Sequence, residues 1–279
     1  MNIKISGIGS YIPEKSISNT DFTDHVFLNE DGSPFGHPNE VVVNKFKSIT
    51  GIENRRYAND QFTTSDLGYF AAQKAIANAN IDPETIDYII FAHNFGDVKH
   101  GAIQSDIIPS LATRVKQKLQ IKNPKCVAYD ILFGCPGWVE GVIQAQAYIK
   151  AGMAKKCLVI GAETLSRVVD IHDRDSMIFS DGAGACIVEH SDDPDQGILS
   201  FSVQSHCNDE AYFLYLGKSY HPEADDATRY IKMKGRKVYE YAIKNVPIAM
   251  KACIEKAGID IKEVKKAEGG LQKQESSIL

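Results

Sequence analysis

Along the chain, short apolar runs alternate with longer segments whose apolar residues recur at helical spacing. Ile3 to Ile12 alternates as a strand does, with Gly7 and Gly9 allowing close backbone approach. Leu67, Phe70, Ala71, Ala75 and Ile76 share one face of a helix that Thr64 or Ser65 can cap and that ends near Asn80, before Asp82-Pro83. Tyr88 to Ala92 reads as a short buried strand, His93 to Gly101 as a polar loop, and Ser105 to Leu119 as a helix. Cys126 to Leu132, apolar except for Asp130, predicts a strand buried on both faces. A helix follows from Pro136, with Trp138, Val142, Ala145 and Ile149 on its inner face and Gly152 closing it. Cys157 to Ile160, Ala183 to Val188 and Gly197 to Val203 predict further strands, the last one opening a second unit. A polar loop from Asn208 to Arg229 precedes a helix from Lys237 to Ala257, with Pro247 as its start or kink. Strand, helix and strand in succession imply an α/β fold with right-handed parallel crossovers.

Two stretches stand outside this rhythm. From Asp21 to Asn44 the sequence is irregular, with turn chemistry at Asn29 to Pro34, and reads as a solvated excursion or a flap. Residues 265–279 are polar and without periodicity, so a disordered tail is expected there.

Composition narrows the function classes. Hydrophobic residues make up 43% of the chain, enough for a sizeable core, and no run of apolar residues is long enough to span a membrane. The start, MNIKISGIGSYIPEK, lacks a secretory pattern, so a cytoplasmic protein is expected. A net charge of -5 with interspersed signs gives no nucleic-acid signature. The six cysteines show no metal-ligand spacing; His206-Cys207 is half of a site with no second half, and no cofactor is expected. Asp181-Gly182-Ala183-Gly184 precedes a strand instead of a helix, unlike a phosphate loop.

Cys135 carries the chemistry. It lies between a strand and a helix start, where the positive end of the helix favours a thiolate and a sharp turn can lift the sulfur to the top of the sheet. The residues leave two readings open: a nucleophile, or a small buried residue at a tight turn. His93 and His100, in the loop after a strand, are tempting partners that read equally as surface groups.

Tyr129 to Gly141 and Gln144 to Glu163 resemble the active-site region of 3-oxoacyl-[acyl-carrier-protein] synthase III, a thiolase-superfamily condensing enzyme. The resemblance extends in order through Gly7 to Glu14, Thr50 to Arg56, Ser166 to Asp170, Phe179 to Ala185 and Met233 to Tyr239. It implies a thiolase-like α-β-α-β-α sandwich of two similar halves, here 1–192 and an incomplete 193–264. It makes Cys135 the nucleophile that takes an acyl group from an acyl-coenzyme A or acyl-carrier-protein thioester, in fatty acid biosynthesis, within a homodimer.

By the same resemblance, Thr50 stands beside the substrate tunnel, Arg174 faces the cofactor portion of the thioester, and Ile108 falls where a gating Phe crosses the dimer. Phe133, in place of a small residue, narrows the acyl pocket, and Phe179 and Met233 fall in matching substrate-binding blocks. The coenzyme A-stacking Trp and the phosphate-binding Arg of the family align with Lys45 and Ile49, which leaves acyl-carrier protein a plausible donor. The family's later His and Asn have no counterpart after Val264, so condensation is expected to be impaired. A non-catalytic or complementing subunit is the alternative; a papain-like hydrolase, suggested by Cys135 and Trp138, fits poorly because no His lies far enough downstream.

Overall fold

The computed structural model describes residues 2–265. In chain order its first elements are β1 (Asn2–Tyr11), β2 (Lys15–Ser18), α1 (Asn39–Thr50), β3 (Asn54–Tyr57), α2 (Thr64–Ala79), β4 (Tyr88–His93) and α3 (Leu111–Lys118). Then come β5 (Val127–Leu132), α4 (Gly137–Lys150), β6 (Lys156–Thr164), β7 (Asp181–Ser191), β8 (Leu214–Gly217), β9 (Tyr230–Met233) and α5 (Gly235–Ala257).

The chain divides into two compact units that interleave along the sequence. The first comprises residues up to Ser16, Arg56–Arg167 and Ser180–Ile198. Its five-stranded sheet has the order β1-β7-β6-β4-β5. β4 pairs parallel with β5 and β6, while β7 runs antiparallel between β6 and β1.

Strand periodicity explains the layers. On β6, Leu158, Ile160 and Ala162 join Ala71, Ala75, Leu111 and Val115 of α2 and α3 on one face of the sheet. The alternate residues Cys157 and Val159 join Val142, Ala145 and Ile149 of α4 on the other. Each fully buried Ile, Leu or Phe contributes about 1.5–3 kcal/mol, so both helical layers are held chiefly by this apolar burial. Gly7 and Gly9 let α2 lie directly on β1, since a Cβ at Gly9 would stand 2.2 Å from the Ala71 carbonyl oxygen.

The second unit comprises Ile17–Arg55, Val168–Phe179 and the chain from Leu199 onward. Phe22, Phe27, Val42, Val43 and Met177 form its core cluster. β8 and β9 pair antiparallel.

Several expectations need correction. The 21–44 stretch is no mere excursion: the Val41-Val42-Val43 run, β-branched and strand-like, lies in the first turns of α1, and two of its valines are buried. β5 forms where expected but is the sheet's outer strand, with Val127 and Leu132 exposed, because the crossovers place β4 between β5 and β6 and leave β5 at the edge. α3 starts only at Leu111: Pro109 disfavours helix at Ile108, and the Ser110 hydroxyl caps the Thr113 N–H at 3.2 Å. Residues 197–203 form no strand; the Ile198 N–H bonds the Ile3 carbonyl at 2.8 Å and the pairing goes no further. β8 forms inside the expected polar loop, and α5 begins at Gly235 and passes through Pro247 without stopping. Thr63, not Thr64 or Ser65, caps α2, in a capping box with Asp66. The expected tail falls on residues that, beyond Lys265, lie outside the described ones.

Candidate active site

The parallel strands β4, β5 and β6 bring their carboxyl ends together in the first unit, and Cys135 hangs from the end of β5. Phe133 donates its N–H to the His93 carbonyl at 3.3 Å, extending the β4–β5 ladder by one step. The chain then turns: the Gly137 N–H donates to the Gly134 carbonyl at 2.8 Å and Pro136 stands at the N-cap of α4. The turn is tight against β4, since a Cβ on Gly137 would sit 3.0 Å from that of Ala92 and 3.1 Å from that of Phe133. The Cys135 side chain is exposed, which removes the buried-residue reading of its thiol. The first-turn N–H groups of a helix have no partner within it, so this end is suited to an anion.

Buried polar groups tie down the strand ends next to the turn. His93 is buried, contrary to a surface reading; its Nδ1 accepts the Gly96 N–H at 2.9 Å, so its proton sits on Nε2 and is donated to Asp130 Oδ2 at 3.0 Å. Asp130 also accepts the N–H groups of Leu111 and Ala112 at 2.7 and 2.8 Å, which ties β5 to the start of α3. His100 is exposed, 3.3 Å from Asp60. At the end of β6, Glu163 accepts the Asn94 Nδ2–H at 2.6 Å and the Asn94 backbone N–H at 2.5 Å. Burial pushes the Glu163 carboxyl up to about 7, against the pull of the two Asn94 bonds. Glu163 and Asn94 were not singled out in the sequence; a lone acid ending the apolar run LVIGAE was the signal available.

The other expected residues fall in different places. Phe133 shares the Cys135 turn and is 44% exposed; Ile108, 84% exposed, precedes α3 in the same unit. Thr50, Arg174, Phe179 and Met233 belong to the second unit. The Thr50 hydroxyl donates to the Phe46 carbonyl and accepts the Ile52 N–H, closing α1. The Arg174 guanidinium lies 4.4 Å from the Phe35 ring centre. Arg174 opens a short 3-10 turn that Phe179 follows, and Met233 ends β9. A buried ion cluster anchors these segments: Lys232 Nζ bonds Asp170 Oδ2 at 2.6 Å and Asp173 Oδ2 at 3.2 Å. Burial opposes ionisation of Asp170, but Lys232 and the Tyr220 N–H outweigh it and hold the carboxyl below its usual range. Burial and Asp173 push Asp175 up to about 6.

A family model described as 3-Oxoacyl-[acyl-carrier-protein (ACP)] synthase III matches residues 129–207, which span the Cys135 turn, β6 and β7. Beta-ketoacyl-[acyl-carrier-protein] synthase III 2 of Halalkalibacterium halodurans is 36% identical over 265 residues, covering 94% of this chain and 72% of the relative. The chain belongs to the 3-oxoacyl-[acyl-carrier-protein] synthase III family. A second synthase III, from Neisseria gonorrhoeae, is also 36% identical, covering 94% of this chain and 74% of its own length. The crystal structure of the synthase III from Aquifex aeolicus superposes with a TM-score of 0.74 at 31% identity, over 94% of this chain and 74% of that one. The fold is therefore the α/β, thiolase-like fold of the synthase III family. Among the described residues no helix is long and apolar enough to cross a membrane.

Proposed function

We propose that this synthase III chain is an acyltransferase whose Cys135 accepts the acyl group of an acyl-coenzyme A or acyl-carrier-protein thioester. The observation that carries this reading is the exposed thiol held at a strand-to-helix turn, at the carboxyl ends of the parallel strands. The Cys135 sulfur attacks the thioester carbonyl, the donor's carbon–sulfur bond breaks, and the donor leaves as a thiol carrying the proton released from Cys135. Oriented N–H groups at the start of α4 are suited to the oxyanion formed on the way. In the full reaction the acyl-enzyme is then attacked by the carbanion left when malonyl-acyl-carrier protein loses carbon dioxide.

Phe133 and Ile108 are proposed to shape the acyl site, and Thr50, Arg174, Phe179 and Met233 to contact the carrier portion of the thioester. The reading further takes residues 1–192 and 193–264 as parts of two similar halves, a homodimer as the working form and the cytoplasm as its place. Sedimentation velocity tests the dimer.

Intact-mass spectrometry of the protein incubated with acyl-coenzyme A and acyl-carrier-protein thioesters tests the acyltransferase reading. An acyl adduct on the wild type and none on Cys135→Ser is expected. A folded wild type that no thioester labels would favour the non-catalytic or complementing subunit.

A further inference from the structure

Among the described residues, the buried carboxylates at Asp97, Asp130, Asp170 and Asp181 are saturated. Asp97 binds Ser65 and Arg114 through both oxygens. Asp130 holds Leu111, Ala112 and His93, and Asp170 holds His172, Ser219, Tyr220 and Lys232. Asp181 accepts from Ala58 and twice from Ser166. In each case both oxygens are engaged, the signature of a carboxylate with a structural task.

Glu163 differs. Its Oε1 takes both Asn94 donors, while Oε2 is shut off from solvent and has no hydrogen-bond partner. A carboxyl left half-satisfied in a closed site is poised between its charged and neutral forms. Its position gives that poise a chemical outlet. Asn94 follows His93, whose carbonyl holds the Phe133 N–H, and Phe133 is two residues from Cys135. The grip on Asn94 and the placement of the thiol turn thus meet across two neighbouring strand ends, joined by the bond from the Phe133 N–H to the His93 carbonyl.

We infer that Glu163 and Asn94 are a positioning pair for the reaction at Cys135, the ionised Glu163 gripping Asn94 and thereby steadying the turn that carries the thiol. This rests on Cys135 being the acyl acceptor. Hydrogen bonds to an ionised carboxylate are roughly twice as strong as those to a neutral one, so protonation loosens the hold. The charged groups facing Glu163 are His93 on β4 and Asp181 on β7. Asp181 in turn faces Arg167, and His93 is held by Asp130. Burial brings the Glu163 carboxyl up to about 7, so its charge changes near neutrality.

The test compares two rates at Cys135 across pH, both read by mass spectrometry of the peptide that carries it, since Cys207 is exposed as well. Alkylation by iodoacetamide reports the thiol's own ionisation; transfer from acetyl-coenzyme A and longer acyl-coenzyme A reports ionisation and placement together. Their ratio cancels the thiol. In the wild type the ratio is expected to rise about threefold to tenfold through a midpoint near pH 7. In Glu163→Gln, shown folded by circular dichroism, it is expected to be flat. Asn94→Ser loses the Nδ2 donor that pulls the titration down, so its midpoint is expected to move up; this variant carries the test if Glu163→Gln does not fold. A flat ratio in the wild type, a Glu163→Gln profile like the wild type's, or an Asn94→Ser midpoint that stays or falls would overturn the inference while leaving Cys135 as acceptor. Alkylation of Cys135 with no transfer from any thioester would instead remove the acceptor reading and this inference with it.

Discussion

At the scale of single residues, Glu163 makes a stability prediction separate from its role in placement. Its carboxyl titrates at about 7 in the fold against an ordinary 4.5, because burial disfavours the charge. The folded chain therefore holds this proton more tightly than the unfolded chain does. The stability it confers is complete below pH 4.5 and is lost as pH rises through 7. Glu163→Gln keeps an acceptor for Asn94 and removes the charge. At pH 8 its urea midpoint is expected to exceed the wild type's by the equivalent of about 1–2 kcal/mol, the full shift being discounted for partial exposure, and at pH 4 the two are expected to coincide. Cys135 was legible in the sequence because its neighbours changed from strand to helix character around it. Glu163 was not, because its burial depends on how β4 and β6 end side by side, a long-range fact that no local pattern carries.

At the scale of elements, two contacts decide whether the layers and ribbons hold. α2 lies so close on β1 that Gly9→Ala drives a methyl into the Ala71 carbonyl. Overpacking of this kind costs about 1–3 kcal/mol, read as a fall in the thermal midpoint; an unchanged midpoint would mean that α2 can lift freely from the sheet. β9 depends on Lys232, 1% exposed at its side chain and shared by Asp170 and Asp173. Lys232→Met strands those two acids, at a cost of about 3–5 kcal/mol, checked by urea unfolding followed by circular dichroism. The elements that sequence pattern revealed, β1, α2, β4, α4 and β6, are those whose own apolar run or periodicity matches the faces they bury. Those it misjudged depend on distant residues. α1 hides behind a valine run that Phe22, Phe27 and Met177 bury, β8 exists only through β9, and the openness of β5 follows from its place at the end of the strand order.

At the scale of the whole molecule, titrating groups of opposite sense bracket an optimum. Burial raises Glu163, Asp175 and Asp181, whose stability is lost as pH climbs past the ordinary carboxylate value, for Asp175 toward about 6 and for Glu163 toward about 7. Asp170 and Asp66 are burdened by burial but lowered on balance by their lysine partners, so their contribution fails as pH falls below that same value. The thermal midpoint is accordingly expected to be higher at pH 5 than at pH 8; the reverse order would show that the raised carboxyls find relief in the fold. The interleaving of the two units has a practical consequence for anyone dissecting the gene. The second unit draws its apolar cluster from Phe22, Phe27, Val42, Val43 and Met177, all encoded before Leu199, while α5 contributes no buried residue. A gene cut at the codon for Leu199 therefore leaves α5 its contacts with Ser200 and Phe201 but parts the hairpin's Lys232 from Asp170 and Asp173. The downstream peptide is expected to give a coil spectrum, and the upstream piece to keep α1 and its cluster but to lose the strand pair bearing Lys232.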